Sequence, residues 1–142
     1  MSSATRSIYG DLYLVTISSL PLKGVEQHFA VDSSGFSTCR FVRWFNKKYD
    51  REIDNREWVK CHLMCGVDTK IVSSVDVSGW AANDTTYYVP LLDRTTQYFT
   101  VKEVSADKAY LSYKNLKATA KANAVPYIPF KINTVVPKGN NI

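Results

Sequence analysis

Residues 58–79, WVKCHLMCGVDTKIVSSVDVSG, limit the possible architectures more than any other stretch. In the first ten, every second residue (Val59, Cys61, Leu63, Cys65, Val67) is apolar, the period of a strand with one buried face. DTK then makes a tight connection into IVSSVDVSG, so the segment predicts a β-hairpin. Val59, Cys61, Leu63, Cys65 and Val67 are expected to face the core and His62 to point away from it. That split also argues against a metal centre in CHLMC, because a strand sends neighbouring ligands to opposite faces.

The elements around the hairpin give a topology. VEQHFAVD, upstream, reads as a strand ending near Asp32, followed by a turn at SSGFS in which Gly35 is free to take unusual backbone angles. Downstream, Tyr88, Leu91, Leu92 and Thr95 recur at helical spacing. Pro90 limits how far upstream this helix can begin, which favours Thr86 over Asp84 as its cap. TVKEVSAD is a further strand. Ser112 caps a second helix carrying Tyr113, Leu116 and Ala120, and AVPYIPF ends the series as a short strand. Residues 1–24 form a lead-in with a short helix over 8–19, broken by Pro21 and Gly24. Residues 36–57 form a charged excursion.

A helix between two strands is the usual parallel crossover. With the first strand central, the hairpin on one side and the fourth strand on the other, the chain makes one α/β domain. Its mixed five-stranded sheet has helices covering both faces. The carboxyl ends of the first and fourth strands, where such sheets bind ligands, then lie side by side. Asp32 and Asp107 mark those two ends.

Paired carboxylates repel unless a proton or cation lies between them. Magnesium, a hard ion that takes a few carboxylates and leaves positions for water and phosphate oxygens, suits such a pair. The alternative is that each aspartate starts a local Asx-turn.

The charge distribution bears on the partner. The formal net charge is +5, and residues 40–60 carry seven Lys or Arg against four acids, interleaved with Phe41, Trp44, Phe45, Tyr49 and Trp58. After Asp107 there are six lysines and no acid. Basic ground broken by aromatics suits a polyanion such as double-stranded DNA, although a solvated surface loop has the same composition. Arg40, Arg43, Lys47, Lys48, Arg51, Lys60 and Lys108 are the candidate contacts. Three cysteines, an odd number, without a secretory signal suggest reduced thiols and a cytoplasmic chain, and no apolar run is long enough to span a membrane.

FAVDSSGFS, WVKCHLMCGVD, YYVPLLDRT, VKEVSADKAYLS and VPYIPFK, in this order and spacing, closely resemble the DDE transposases of bacterial and archaeal insertion sequences. The resemblance implies a ribonuclease H-like core, magnesium (or manganese) dependence, and cutting and joining of DNA at transposon ends. It assigns Asp32 and Asp107 to the first two catalytic, metal-binding acids. Members of the family carry a longer region before the first aspartate, and a third acid, a glutamate on a helix beyond the last strand. Here 31 residues precede Asp32 and no acid follows Asp107. The expectation is a truncated or split core of low activity. Alternatively, it is a non-catalytic remnant that still grips DNA, or an inhibitory partner of a full-length transposase; a second copy of the chain is a further candidate partner.

Overall fold

The computed structural model describes residues 18–37 and 58–132. Five strands, β1 (His28–Ser37), β2 (Trp58–Gly66), β3 (Val72–Gly79), β4 (Glu103–Ala106) and β5 (Val125–Tyr127), form one sheet in the order β3-β2-β1-β4-β5. β2 runs antiparallel to both β1 and β3, whereas β1, β4 and β5 are parallel to one another. Helix α1 (Thr85–Thr96) connects β3 to β4, and α2 (Tyr113–Lys121) connects β4 to β5. This is the mixed five-stranded sheet that the element order implies.

Several details differ from the sequence reading. β1 does not stop near Asp32: it pairs with β2 as far as Ser37, opposite Trp58. The nine-residue β2 supplies a complete antiparallel partner, and that ladder outweighs the weak strand preference of Ser33, Ser34 and Gly35. Gly35 is therefore a strand residue, lying against the Trp58 ring. Of the helix expected over 8–19 only residues 18–19 are described, and they are helical; of the excursion expected over 36–57 only residues 36–37 are described, and they belong to β1. Leu20–Leu22, with Pro21 within it, forms a single 3-10 turn.

The buried face of β2 is also the reverse of the one expected. His62 and Met64 are fully buried, while Cys61, Leu63 and Cys65 are half-buried. The choice is made by α1, which packs on the His62 side. Its Tyr88, Leu91, Leu92 and Thr95 close over Phe29, Val31, Met64 and Val104. Thr95 Oγ1 meets Ser73 Oγ at 2.9 Å and Ser74 Oγ at 3.0 Å, and Ser74 Oγ donates to the Leu91 carbonyl. Two adjacent serines can thus be buried without loss of hydrogen bonds.

α1 begins at Thr85, with Asp84 rather than Thr86 at its cap position, and it accommodates Pro90. The proline removes one bond to the Thr86 carbonyl, and the buried row on either side of it holds the helix together. α2 is capped by Ser112, whose Oγ accepts from Asn115 N at 3.2 Å. Its buried face carries Asn115 and Thr119 rather than Tyr113 and Ala120, which are exposed. Asn115 Nδ2 donates to the Tyr110 carbonyl and to Thr85 Oγ1, and Thr119 Oγ1 meets Tyr88 Oη at 2.7 Å. These bonds tie α2 to α1, so among the described residues both helices cover one face of the sheet rather than one each.

Candidate active site

Parallel pairing of β1 with β4 sets Val31 opposite Ala106. The next residue on each strand is Asp32 and Asp107, so the two aspartates are neighbours across adjacent strands, whose spacing is ~4.8 Å. Both are exposed. Asp32 sits where the parallel pairing ends but β1 continues, and its Oδ1 accepts from Ser33 N at 2.7 Å. Asp107 caps the 3-10 turn Lys108–Tyr110, its Oδ1 accepting from Ala109 N at 2.6 Å. Part of the Asx-turn alternative therefore holds for Asp107. Each of these bonds uses one carboxylate oxygen and leaves Oδ2 for another role. Two hard oxygen donors on neighbouring strands fit the donor set that a divalent magnesium-type ion requires.

Below this edge, on the helix-covered face, lies a polar layer that the sequence did not reveal. Tyr110 closes the turn begun by Asp107 and is 1% exposed. Its hydroxyl is pushed up to about 12, by burial first and then by the negative charges of Asp84, Asp32 and Asp107. The neighbouring Ser33 hydroxyl offsets part of this shift without reaching hydrogen-bond geometry. His62, opposite Ser33 on β2, donates or accepts through Nε2 with Ser78 Oγ at 2.8 Å and stacks on Tyr87 with ring centroids 4.0 Å apart. Its Nδ1 lies 3.8 Å from Asp84 Oδ1 and has no hydrogen-bond partner. Burial pushes its pKa down, keeping the ring neutral, with Asp84 opposing.

Among the expected DNA contacts, Lys108 is exposed beside Asp107. Lys60 is directed inward: its Nζ donates to Asp84 Oδ1 at 2.9 Å and to the Ala82 carbonyl at 3.2 Å. Arg40, Arg43, Lys47, Lys48 and Arg51 lie outside the described residues. Cys61 and Cys65 are free thiols. The Cys65 thiol is pushed up by burial, then by the charge of Asp32, then by Cys61. Asp32 is therefore felt from the helix-free face as well as by Tyr110.

A second group with metal-ligand chemistry, Glu26, His28 and Asp68, lies at the start of β1, its ligand atoms within 4.8 Å of one another. Glu26 is already saturated. Oε1 accepts from His28 N, and Oε2 accepts from Asp68 N, Thr69 N and Thr69 Oγ1. The group has the reach to share an ion, but its hydrogen bonds fit a clamp on the β2–β3 turn. His28 is four residues from Asp32, about 13 Å along a strand.

The family model for the transposase DDE domain matches residues 23–140. No curated protein matches the sequence. Among solved structures, the catalytic core domain of BIV integrase aligns with a TM-score of 0.46 and 7% identity, covering 76% of this chain and 57% of that one. The piggyBac transposase synaptic complex with hairpin DNA aligns with a TM-score of 0.46 and 14% identity, covering 78% of this chain and 24% of that one. The chain thus spans less than two thirds of either. No helix among the described residues is long and apolar enough to cross a membrane.

Proposed function

From the premise that this chain belongs to the transposase DDE domain family, we propose that it is a catalytic core for DNA strand cleavage and strand transfer. In this reading Asp32 and Asp107 hold the catalytic divalent ion, magnesium or manganese, at insertion-sequence ends. The observation that supports it is the β1·β4 register, which sets the two aspartates side by side with an oxygen each to offer. When bound, the ion supplies charge stabilisation for phosphoryl transfer. The chain's own contribution is to orient carboxylate oxygens and to hold the DNA backbone. Lys108 lies closest in sequence to that task, with Arg40, Arg43, Lys47, Lys48 and Arg51 as further contacts. The chain works in the cytoplasm on double-stranded DNA.

Residues 108–142 contain no acid, so a third carboxylate has to come from outside them. With Asp32 and Asp107 as the only ligands, nicking is slow. A missing ligand costs several kcal/mol of barrier, about a hundredfold to ten-thousandfold in rate. The same lack of acid favours a second reading, in which the chain grips DNA without cutting and pairs with a full-length transposase. The test is a nicking and strand-transfer assay with magnesium, with and without a downstream segment bearing a helical glutamate. Restored cutting that Asp32→Ala or Asp107→Ala abolishes supports the first reading. DNA binding with no cutting under any of these conditions supports the second.

A further inference from the structure

Helix α2 carries charge of one sign only. Lys114, Lys117 and Lys121 are exposed, on the side away from the buried Asn115 and Thr119. At about 3.6 residues per turn the three fall within ~60° of one another, as a single stripe. Among the described residues none of them has an ion pair or a side-chain hydrogen bond. Elsewhere cations are matched: Lys60 pairs with Asp84 at 2.9 Å and Arg94 with Asp76 at 2.6 Å.

On a solvated helix, lysines are ordinarily interleaved with acids three or four residues away. Here Lys114 and Lys117, and then Lys117 and Lys121, repel one another at those same spacings. Lys114 also stands in the first turn, which holds no acid and where the helix dipole disfavours a cation. Only Lys121, in the last turn, sits where the dipole favours it. The arrangement opposes helix stability, and an external anion lying along the stripe removes the conflict. From Lys114 to Lys121 the helix rises ~10 Å, a length over which one strand of duplex DNA presents about three phosphates. α2 begins soon after the turn that Asp107 caps, at the carboxyl end of β4, and returns to the start of the parallel strand β5. The stripe therefore leads away from the aspartate edge.

We infer that Lys114, Lys117 and Lys121 form a track that holds the phosphate backbone of duplex DNA, separate from the charged segment 40–60. The inference rests on the reading of the chain as one that acts on DNA, and it does not depend on how Asp32 and Asp107 hold a cation.

The experiment is equilibrium binding of the 142-residue chain to two duplexes of unrelated sequence across a salt series, without divalent ions. The thermal midpoint of the free protein is measured alongside. The triple variant Lys114→Gln, Lys117→Gln, Lys121→Gln is expected to weaken binding to both duplexes alike and to flatten the salt slope by about two to three units. Its midpoint stays level or rises, because repulsion is removed and no partner is lost. Arginine at all three positions keeps the slope. The control is Lys23→Gln with Lys70→Gln, two exposed lysines outside α2, which leaves the slope unchanged. An unchanged slope in the triple variant overturns the inference. So does equal flattening per lysine in the control, because net charge then accounts for it. A lowered midpoint in the triple variant also overturns it, since the lysines then serve the fold. Stripe-dependent binding to phosphatidylserine vesicles, without stripe-dependent binding to DNA, assigns the surface to a membrane instead. A chain that grips DNA through the stripe but never nicks it contradicts the catalytic proposal alone. Magnesium-dependent nicking with an unaltered slope in the triple variant contradicts this inference alone.

Discussion

Gly66 and Glu26 fit together only because residue 66 lacks a side chain: a Cβ there would stand within 2.6 Å of the Glu26 Cγ and Cδ. Glu26 is completely buried; three of its four hydrogen bonds hold the β2–β3 turn and the fourth holds His28 N on β1. It cannot move aside without leaving a buried carboxylate short of donors. Gly66→Ala should therefore cost about 3 kcal/mol of stability, overpacking and lost hydrogen bonds together. Urea unfolding at neutral pH checks this, and a change below ~1 kcal/mol would mean that Glu26 is free to shift.

Acid should weaken the fold in two stages. Burial pushes the His62 pKa down, so the unfolded chain takes up a proton first as pH falls below 6.5, and stability begins to drop there. For Glu26, burial alone would raise the pKa. The bonds from Thr69, His28 and Asp68 outweigh it and hold the carboxyl below 4.5. Its contribution is present above 4.5 and is lost as pH falls through the lower folded value. Thermal midpoints against pH should show both stages, and His62→Gln should flatten only the first.

Alkali should act through the tyrosines. Tyr110, raised to about 12, stays neutral in the fold while the unfolded chain ionises above pH 10. Stability is therefore full below pH 10 and declines between there and 12. Phenolate absorbance should show this group ionising together with unfolding, and Tyr110→Phe should reduce the alkaline slope.

Lys108 and Lys60 should separate DNA contact from structure. Lys108→Glu is expected to weaken DNA binding and lower the salt slope by about one unit. Lys60→Met should leave the slope alone and destabilise the fold by about 1 kcal/mol, a value discounted for partial exposure, because Asp84 loses its partner. An unchanged slope in Lys108→Glu would remove this residue from the interface.

The two thiols report on Asp32. Burial and then Asp32 push Cys65 up, and burial and then Asp76 push Cys61 up. Both should react more slowly with a disulfide reagent than a free thiol does at mildly alkaline pH, and fully after denaturation. Asp32→Asn should speed Cys65 and leave Cys61 little changed. Equal rates before and after that substitution would move Asp32 away from this face.

The strand order was legible because it depends on features that a sequence carries openly: strand alternation, a tight turn, and a helical repeat between two strands. The position of Asp32 beside Asp107 followed from that order. The full length of β1 was not legible, since Ser33, Ser34 and Gly35 are poor strand formers and only the β2 ladder holds them extended. The buried face of β2 was ambiguous because Met64 and Leu63 lie on opposite parities, and the packing of α1 decides between them. Asn115 and Thr119 were missed as buried groups for a related reason. Their burial depends on partners in Tyr110, Thr85 and Tyr88, which no hydropathy pattern encodes. The polar layer under the aspartates was hidden for the same cause.

The parallel ladder also dictates when the site can exist. Val31 and Ala106 are about 75 residues apart in the chain, so their pairing closes a long loop, whereas the β2–β3 hairpin closes a short one. During synthesis, β1, β2 and β3 can associate while β4 is still inside the ribosome. The two negative charges meet only when that last central strand docks. Until then the nascent chain holds one carboxylate without its neighbour, and the edge proposed to hold a cation is incomplete.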